Sequence, residues 1–216
     1  MMVAGRETPG RDNGGVDMTD PTTTGRLTVI GGPMFAGKSG ELLTRVRRRG
    51  IAGARVAVVS HAWDTRHGDG VIATHDGGTI PARGAGSVED IDAAVAEALA
   101  DGGLDLLAID EAQFFGADLR PCVERLLGSG IDVLVAGLCV TFDAEPFAPV
   151  PDLMALAEET VKLTAVCVTC GRDASFHERI ERAAADFPDD LGPGHVGGTR
   201  MYAARCRDHH PALARA

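Results

Sequence analysis

The segment Gly32-Pro33-Met34-Phe35-Ala36-Gly37-Lys38-Ser39 is a complete G-x-x-x-x-G-K-[ST] pattern, and it dictates what must surround it. Its glycines let backbone N–H groups close around phosphate oxygens, its lysine reaches the β- and γ-phosphates, and its serine hydroxyl ligates Mg²⁺. Such a loop works between a strand and a helix. The chain supplies both: Arg26-Leu27-Thr28-Val29-Ile30 is a short apolar run ending in Gly31-Gly32, and Gly40-Glu41-Leu42-Leu43-Thr44-Arg45-Val46 follows with helical spacing. Only two of the 21 basic residues are lysines, and one of them is Lys38.

From Leu27 onward, apolar runs alternate with helical patterns. Arg55-Val56-Ala57-Val58-Val59, Leu104-Asp105-Leu106-Leu107-Ala108-Ile109 and Val133-Leu134-Val135-Ala136-Gly137-Leu138 read as buried parallel strands. Ser87-Val88-Glu89-Asp90 opens a helix in the manner of a capping box, with Ile91, Val95, Ala98 and Leu99 on its apolar face and Gly102-Gly103 beyond it. Leu119 to Leu127 predicts another helix. The order predicts an α/β fold, a P-loop NTPase-like, doubly wound and mainly parallel sheet that binds ligands at the carboxyl ends of its strands.

This nucleotide-binding unit is placed at 25–163, after a tail over residues 1–24 that has almost no apolar content, reads as disordered and contains a second possible start at Met18. After Pro151 the pattern gives a helix through Ala157-Glu158-Glu159 and a strand from Lys162 to Cys167, then short pieces separated by Cys, Gly and Pro. A small second lobe is placed at 164–210, and a C-terminal tail at 211–216. No internal repeat is evident.

The third strand runs into Asp110-Glu111-Ala112-Gln113-Phe114-Phe115, an acidic pair where a metal-assisting carboxylate belongs. Two carboxylates permit two roles: Asp110 assists Mg²⁺, and Glu111 takes a proton from an attacking hydroxyl. Phosphoryl transfer needs mainly positioning and charge compensation, so this pair suffices. The chain has 7 Phe, 1 Trp and 1 Tyr, and Phe35, Phe114, Phe115, Phe142, Phe147 and Tyr202 all lie in or beside these motifs. As a set they favour a flat aromatic ligand.

Cys167-x-x-Cys170 and Cys206-x-x-His209 are two ligand pairs at knuckle spacing. Four soft or borderline ligands with no spare position suit a structural Zn²⁺, with His210 as an alternative to His209 for the fourth ligand. Cys122 and Cys139 are isolated and read as small buried residues. A net charge of −10 argues against a general nucleic-acid binder, and the arginines at 45, 47, 48 and 49 read as a solvated helix face. No run approaches the ~18 apolar residues of a membrane span and no secretory signal is apparent, so the expected compartment is the cytoplasm.

Together these residues resemble the zinc-containing thymidine kinases of the cellular and bacterial type over about 25–209. The resemblance rests on the loop at 32–39, Asp64-Thr65-Arg66, Thr74-His75-Asp76, Asp110-Glu111-Ala112-Gln113-Phe114-Phe115, Val161-Lys162-Leu163-Thr164-Ala165-Val166-Cys167, and Val196-Gly197-Gly198 followed by Tyr202. It implies ATP-dependent phosphorylation of the thymidine 5′-hydroxyl, with Glu111 as general base. Residues 32–39, Asp110 and Gln113 would then serve ATP, Ser39 and Asp110 the Mg²⁺, and Asp64 and Arg66 the reacting hydroxyl and phosphates. Residues 180–202 would form a lasso over thymine, with Met34, Phe114, Leu138, Phe142, Phe147, His195, Val196, Gly197 and Tyr202 at the substrate. It also implies a homotetramer and inhibition by dTTP.

The chain departs from the pattern at Ser60-His61-Ala62-Trp63, where a lysine is common before the Asp-Thr-Arg triplet. It departs again in a longer, polar lasso with Pro193 and His195, and at His177, where a smaller residue often sits. The rival reading is a P-loop NTP hydrolase or switch carrying a structural zinc site. A guanine-specific Asn-Lys-x-Asp motif is absent, because the second lysine, Lys162, follows Val161. A zinc-ribbon nucleic-acid adaptor is the other rival, and the acidic balance opposes it.

Overall fold

The computed structural model describes residues 23–62, 71–73, 79–180 and 201–213. The chain runs β1 (Leu27–Gly32), α1 (Lys38–Ile51), β2 (Val56–His61), β3 (Val71–Ala73), β4 (Thr79–Pro81), β5 (Arg83–Ala85), α2 (Val88–Ala100) and β6 (Leu106–Asp110). A 3₁₀ segment over Ala112–Asp118 leads to α3 (Leu119–Gly128), β7 (Asp132–Leu138), α4 (Val150–Leu156) and β8 (Glu159–Lys162). Four short strands follow: β9 (Ala165–Val166), β10 (Asp173–Ala174), β11 (Phe176–Arg179) and β12 (Tyr202–Arg205).

Six strands form one sheet in the order β5-β2-β6-β7-β1-β8, and every pairing in it is parallel. Alternation along the strands divides their side chains between two faces. Ile30, Ala108, Leu134 and Ala136 point to the face covered by Leu42, Leu43 and Val46 of α1. Val29, Leu107, Ile109, Val133 and Val135 point to the other face, where Ile91 of α2, Leu119 and Val123 of α3 and Leu153 of α4 cover them. Helices on both faces make the doubly wound arrangement the strand order implied, and each fully buried Leu, Ile or Val contributes about 1.5–3 kcal/mol.

The register sets the ends of the strands level where chemistry is needed. Gly31 and Gly32 of β1 pair with Gly137 and Leu138 of β7, and Ser60 of β2 pairs with Asp110 of β6. β7 separates β1 from β6, and α1 bridges the gap by packing across β1, β7 and β6. The first turn of α1 therefore faces the end of a strand two places away.

Two boundaries differ from the sequence expectation. The helix expected through Ala157-Glu158-Glu159 ends at Leu156, because Ala157 turns to extended backbone (φ −74°, ψ 142°) and the acids serve other partners. Glu158 accepts the Leu27 N–H at 2.6 Å, and Glu159 pairs with Arg45 at 2.8 Å, which draws the segment into the sheet as β8. The single strand expected from Lys162 to Cys167 is two strands in different sheets: Leu163 donates the last bond to Gly31 O at 2.8 Å, and β9 pairs with β10 instead. The arginines of α1 are also less solvated than expected, Arg45 bonding Glu41 and Arg49 bonding Asp132, both at 2.7 Å. Among the described residues, no helix is long and apolar enough to cross a membrane.

α2 begins as its sequence implied. Asp90 N–H reaches the Ser87 hydroxyl at 3.4 Å while Asp90 Oδ2 accepts the N–H groups of Ser87 at 3.2 Å and Gly86 at 2.8 Å. Replacing Ser87 with Ala is expected to cost about 1 kcal/mol. Urea denaturation would show this as a lower midpoint at an unchanged slope; an unchanged midpoint would assign the cap to Asp90 alone.

Candidate active site and metal centre

The phosphate loop departs from β1 through Pro33 and turns back through two left-handed residues, Phe35 (φ 66°) and Gly37 (φ 79°), before α1 starts at Lys38. Gly37 accepts this conformation without the steric penalty that a Cβ brings. Lys38 Nζ donates to Pro33 O at 2.8 Å, so the ammonium lies over the mouth of the loop. The helix N-terminus behind it adds backbone N–H groups and a partial positive charge, which together suit a phosphate.

Across β7, the end of β6 meets this loop. Asp110 is 1% exposed, its Oδ1 accepts the Glu111 N–H at 2.9 Å, and its Oδ2 is a buried oxygen that no group among the described residues satisfies within hydrogen-bond distance. Burial pushes the Asp110 carboxyl up to about 7, with the neighbouring Glu111 charge adding to the effect, while the Ser39 side chain and Lys38 pull the other way. A buried, unsatisfied carboxylate oxygen close to a serine hydroxyl has the donor chemistry of a hard divalent cation site.

Glu111 is the next residue, and its backbone is left-handed (φ 54°, ψ 40°), a conformation that costs a non-glycine residue of order 1–3 kcal/mol. Its Oε2 accepts from Gln113 Nε2 at 2.6 Å, and Gln113 Oε1 accepts the Leu138 N–H at 2.8 Å. Gln113 is 3% exposed and spans from the end of β6 to the end of β7. Behind Glu111, the His61 ring lies edge-on to Phe115 at 4.8 Å and tilted to Phe114 at 5.4 Å. Burial lowers the His61 pKa despite the Glu111 charge and the Gly86 backbone, so the ring stays neutral.

The expected substrate wall converges only in part. Met34 of the loop and Phe142, after β7, pack against buried Met201 and Tyr202, so four residues from three distant stretches of the chain meet in one cluster. The Leu138 backbone adjoins this region through Gln113, and Phe147 is half-buried with its N–H on Cys139 O at 3.2 Å. Asp64, Arg66, His195, Val196 and Gly197, and with them most of the expected lasso, lie outside the described residues. His177 stands under Tyr202 with ring centroids 5.6 Å apart, and burial first, then Lys38 and His210, lowers it to about 4.

Cys167, Cys170, Cys206 and His209 bring their ligand atoms within 4.8 Å of one another, a group that can hold a metal ion. The edges Cys170 Sγ–Cys206 Sγ at 3.8 Å, Cys167 Sγ–His209 Nδ1 at 3.6 Å and Cys206 Sγ–His209 Nδ1 at 3.3 Å are those of a small tetrahedron. Bonds of about 2.0–2.3 Å to a central ion give edges of roughly 3.3–3.8 Å. His210 is excluded from this group. Its Nε2 lies 3.1 Å from Phe142 O and 3.2 Å from His177 O, and because both neighbours are acceptors, Nε2 must carry the proton.

Sequence reasoning missed Arg172, His61 and Gly137. Arg172 donates to Cys170 Sγ at 3.4 Å and Cys206 Sγ at 3.7 Å and holds the Cys170 thiol below its ordinary value, thereby offsetting thiolate charge. A Cβ on Gly137 would lie 2.8 Å from Gln113 Oε1 and 2.8 Å from Val150 Cγ2, so the bridging amide needs a glycine there. No motif advertises either residue, since each answers to a three-dimensional neighbour.

A family model described as thymidine kinase matches residues 25–210. The thymidine kinase of Deinococcus deserti is 43% identical over 202 residues, covering 89% of this chain and 98% of the relative. That of Deinococcus radiodurans is 40% identical over 206 residues, covering 90% and 94%, and that of Halobacterium salinarum 40% over 190 residues, covering 88% and 95%.

The Asp110 environment has a consequence for stability. Its folded pKa, about 7, stands above the ordinary 3.8, so the folded state holds a proton that the unfolded state releases. Its contribution is complete below about pH 4 and is lost as pH rises through about 7. For the nucleotide-free protein, urea midpoints measured from pH 5 to 8 should fall with rising pH, and Asp110→Asn should flatten that fall. Equal slopes in both proteins would contradict the assignment.

Proposed function

Because the chain belongs to the thymidine kinase family, we propose that it transfers the γ-phosphoryl group of ATP to the 5′-hydroxyl of thymidine, giving dTMP and ADP. One observation carries the chemistry: Ser39 of the phosphate loop lies against Asp110, and Glu111 follows as a second, separately held carboxylate. A P-loop hydrolase would direct the second carboxylate at water, so dependence of turnover on thymidine is what separates the two readings.

On this reading the loop amides and Lys38 grip the β- and γ-phosphates. Glu111 takes the proton of the 5′-hydroxyl as that oxygen attacks the γ-phosphorus, and the bond from phosphorus to the β–γ bridging oxygen breaks, leaving ADP. Ser39 and Asp110 would hold Mg²⁺, which when bound with ATP neutralises charge on the phosphates. Met34, Phe142 and Tyr202 would wall the thymine, Met34 facing the 5-methyl group. A closed loop offering main-chain groups to the thymine carbonyls and imide N–H would reject a base that leaves them unpaired, so deoxyuridine should serve better than cytidine nucleosides. Asp64, Arg66 and residues 195–197 enter the proposal through the family resemblance alone, as do the homotetramer, inhibition by dTTP and the cytoplasmic location.

For the Cys167, Cys170, Cys206 and His209 group we propose Zn²⁺ in a structural role. Three thiolates and an imidazole leave no open position for a substrate. Among the described residues the surrounding core is small, comprising Ala165, Cys167, Ala174, Ala204 and Cys206, so an ion would supply order that this apolar packing does not. This supports treating residues 164–210 as a lobe distinct from 25–163.

Two measurements test the proposal. In a coupled assay, ATP consumption should require thymidine, and Glu111→Gln should lower turnover by at least ~10²-fold. Thymidine-independent turnover would favour the hydrolase. Metal analysis should find one zinc per chain, and Cys170→Ser should lose it together with thermal stability; a fully stable, metal-free wild type would remove the structural role.

A further inference from the structure

We propose that Gln113 is a positioning residue for Glu111, setting the direction in which that carboxylate accepts the substrate proton. The inference deepens the kinase reading and rests on it. The family pattern associates Gln113 with the nucleotide, yet both ends of its side-chain amide are engaged inside the protein. Nε2 donates to Glu111 Oε2 at 2.6 Å, and Oε1 accepts the Leu138 N–H at 2.8 Å. The Leu138 N–H sits at the last residue of β7, a strand locked on both sides by parallel neighbours. The carboxylate is thus referred, through one amide, to a rigid part of the sheet.

Three further features show that the bridge is built in. Glu111 holds a left-handed backbone that is costly for any residue with a Cβ, so its orientation needs an external restraint. Gln113 is buried, and no rotation of its amide serves both partners except the one observed, since the carboxylate needs a donor and the N–H an acceptor. Gly137 leaves the space that Oε1 occupies, because a Cβ there would stand 2.8 Å away.

The test uses the full chain and two substitutions. Gln113→Met keeps the volume and removes both bonds. It should lower kcat on the order of 10- to 100-fold while the KM values for ATP and thymidine change less than about threefold, as misdirecting a base does. The same Gln113→Met change made on Glu111→Gln should lower the residual kcat little further, because a residue that acts through the base has nothing left to position. A raised KM for ATP with kcat kept would make Gln113 a nucleotide contact and overturn the proposal. An equal kcat loss from Gln113→Met with Glu111 present and with Glu111→Gln would reduce it to a packing role and overturn it likewise. Glu111→Gln separates the two readings: if that variant is inactive while Gln113→Met is normal, positioning fails and the general base stands. If Glu111→Gln is active, the base reading fails first.

Discussion

A loop that grips phosphate is useful only if a proton acceptor and a cation site stand at a fixed distance from it, and here one helix supplies that distance. α1 crosses β7 to rest on β6, so Ser39 in its first turn meets Asp110 although two strands' widths separate their parent strands in the sheet. The apolar residues Leu42, Leu43 and Val46 hold the crossing, and parallel register keeps the strand ends level beneath it. Loosening that packing would move the proposed cation site and base relative to the phosphate loop, which is where the rate of a positioning enzyme is most sensitive.

Consecutive carboxylates then acquire different characters from their surroundings. Asp110 is enclosed, with one oxygen that no described residue satisfies, and burial together with the Glu111 charge pushes its carboxyl up to about 7. Glu111 leaves the strand in a left-handed turn and meets the Gln113 amide. A cationic donor in the same place would stabilise the charged carboxylate strongly and weaken it as a proton acceptor, whereas a neutral amide orients it at less cost. The neutral state of His61, enforced by burial, belongs to the same economy of charge.

Local chemistry made much of this legible in advance. The phosphate loop, the strand-end acids, the capping box at Ser87 and the ligand pairs at 167/170 and 206/209 are each defined by residues close in sequence, and each appears where its spacing implied. The helix end at Leu156 was not legible, because Glu158 and Glu159 favour helix by propensity and are claimed by Leu27 and Arg45 far away in the chain. Gly137, His61 and Arg172 were hidden for the same reason. Gly137 answers to Gln113, 24 residues back, His61 to Phe114 and Phe115, more than 50 residues on, and Arg172, although two residues from Cys170, also reaches Cys206 in the other ligand pair. The choice between His209 and His210 needed coordinates too, since spacing admits either.

That last choice ties the metal group to the proposed nucleoside pocket. His209 enters the ligand cluster while His210, the next residue, points the opposite way and ends between Phe142 O and His177 O. Phe142 and the Tyr202 packed over His177 are two sides of the cluster that also contains Met34 of the phosphate loop. An ion that fixes His209 therefore also fixes the backbone from which His210 braces the pocket. The knuckle and the phosphate loop, more than 120 residues apart in the chain, meet through that brace, so ordering the C-terminal strands and shaping the base pocket are one structural event.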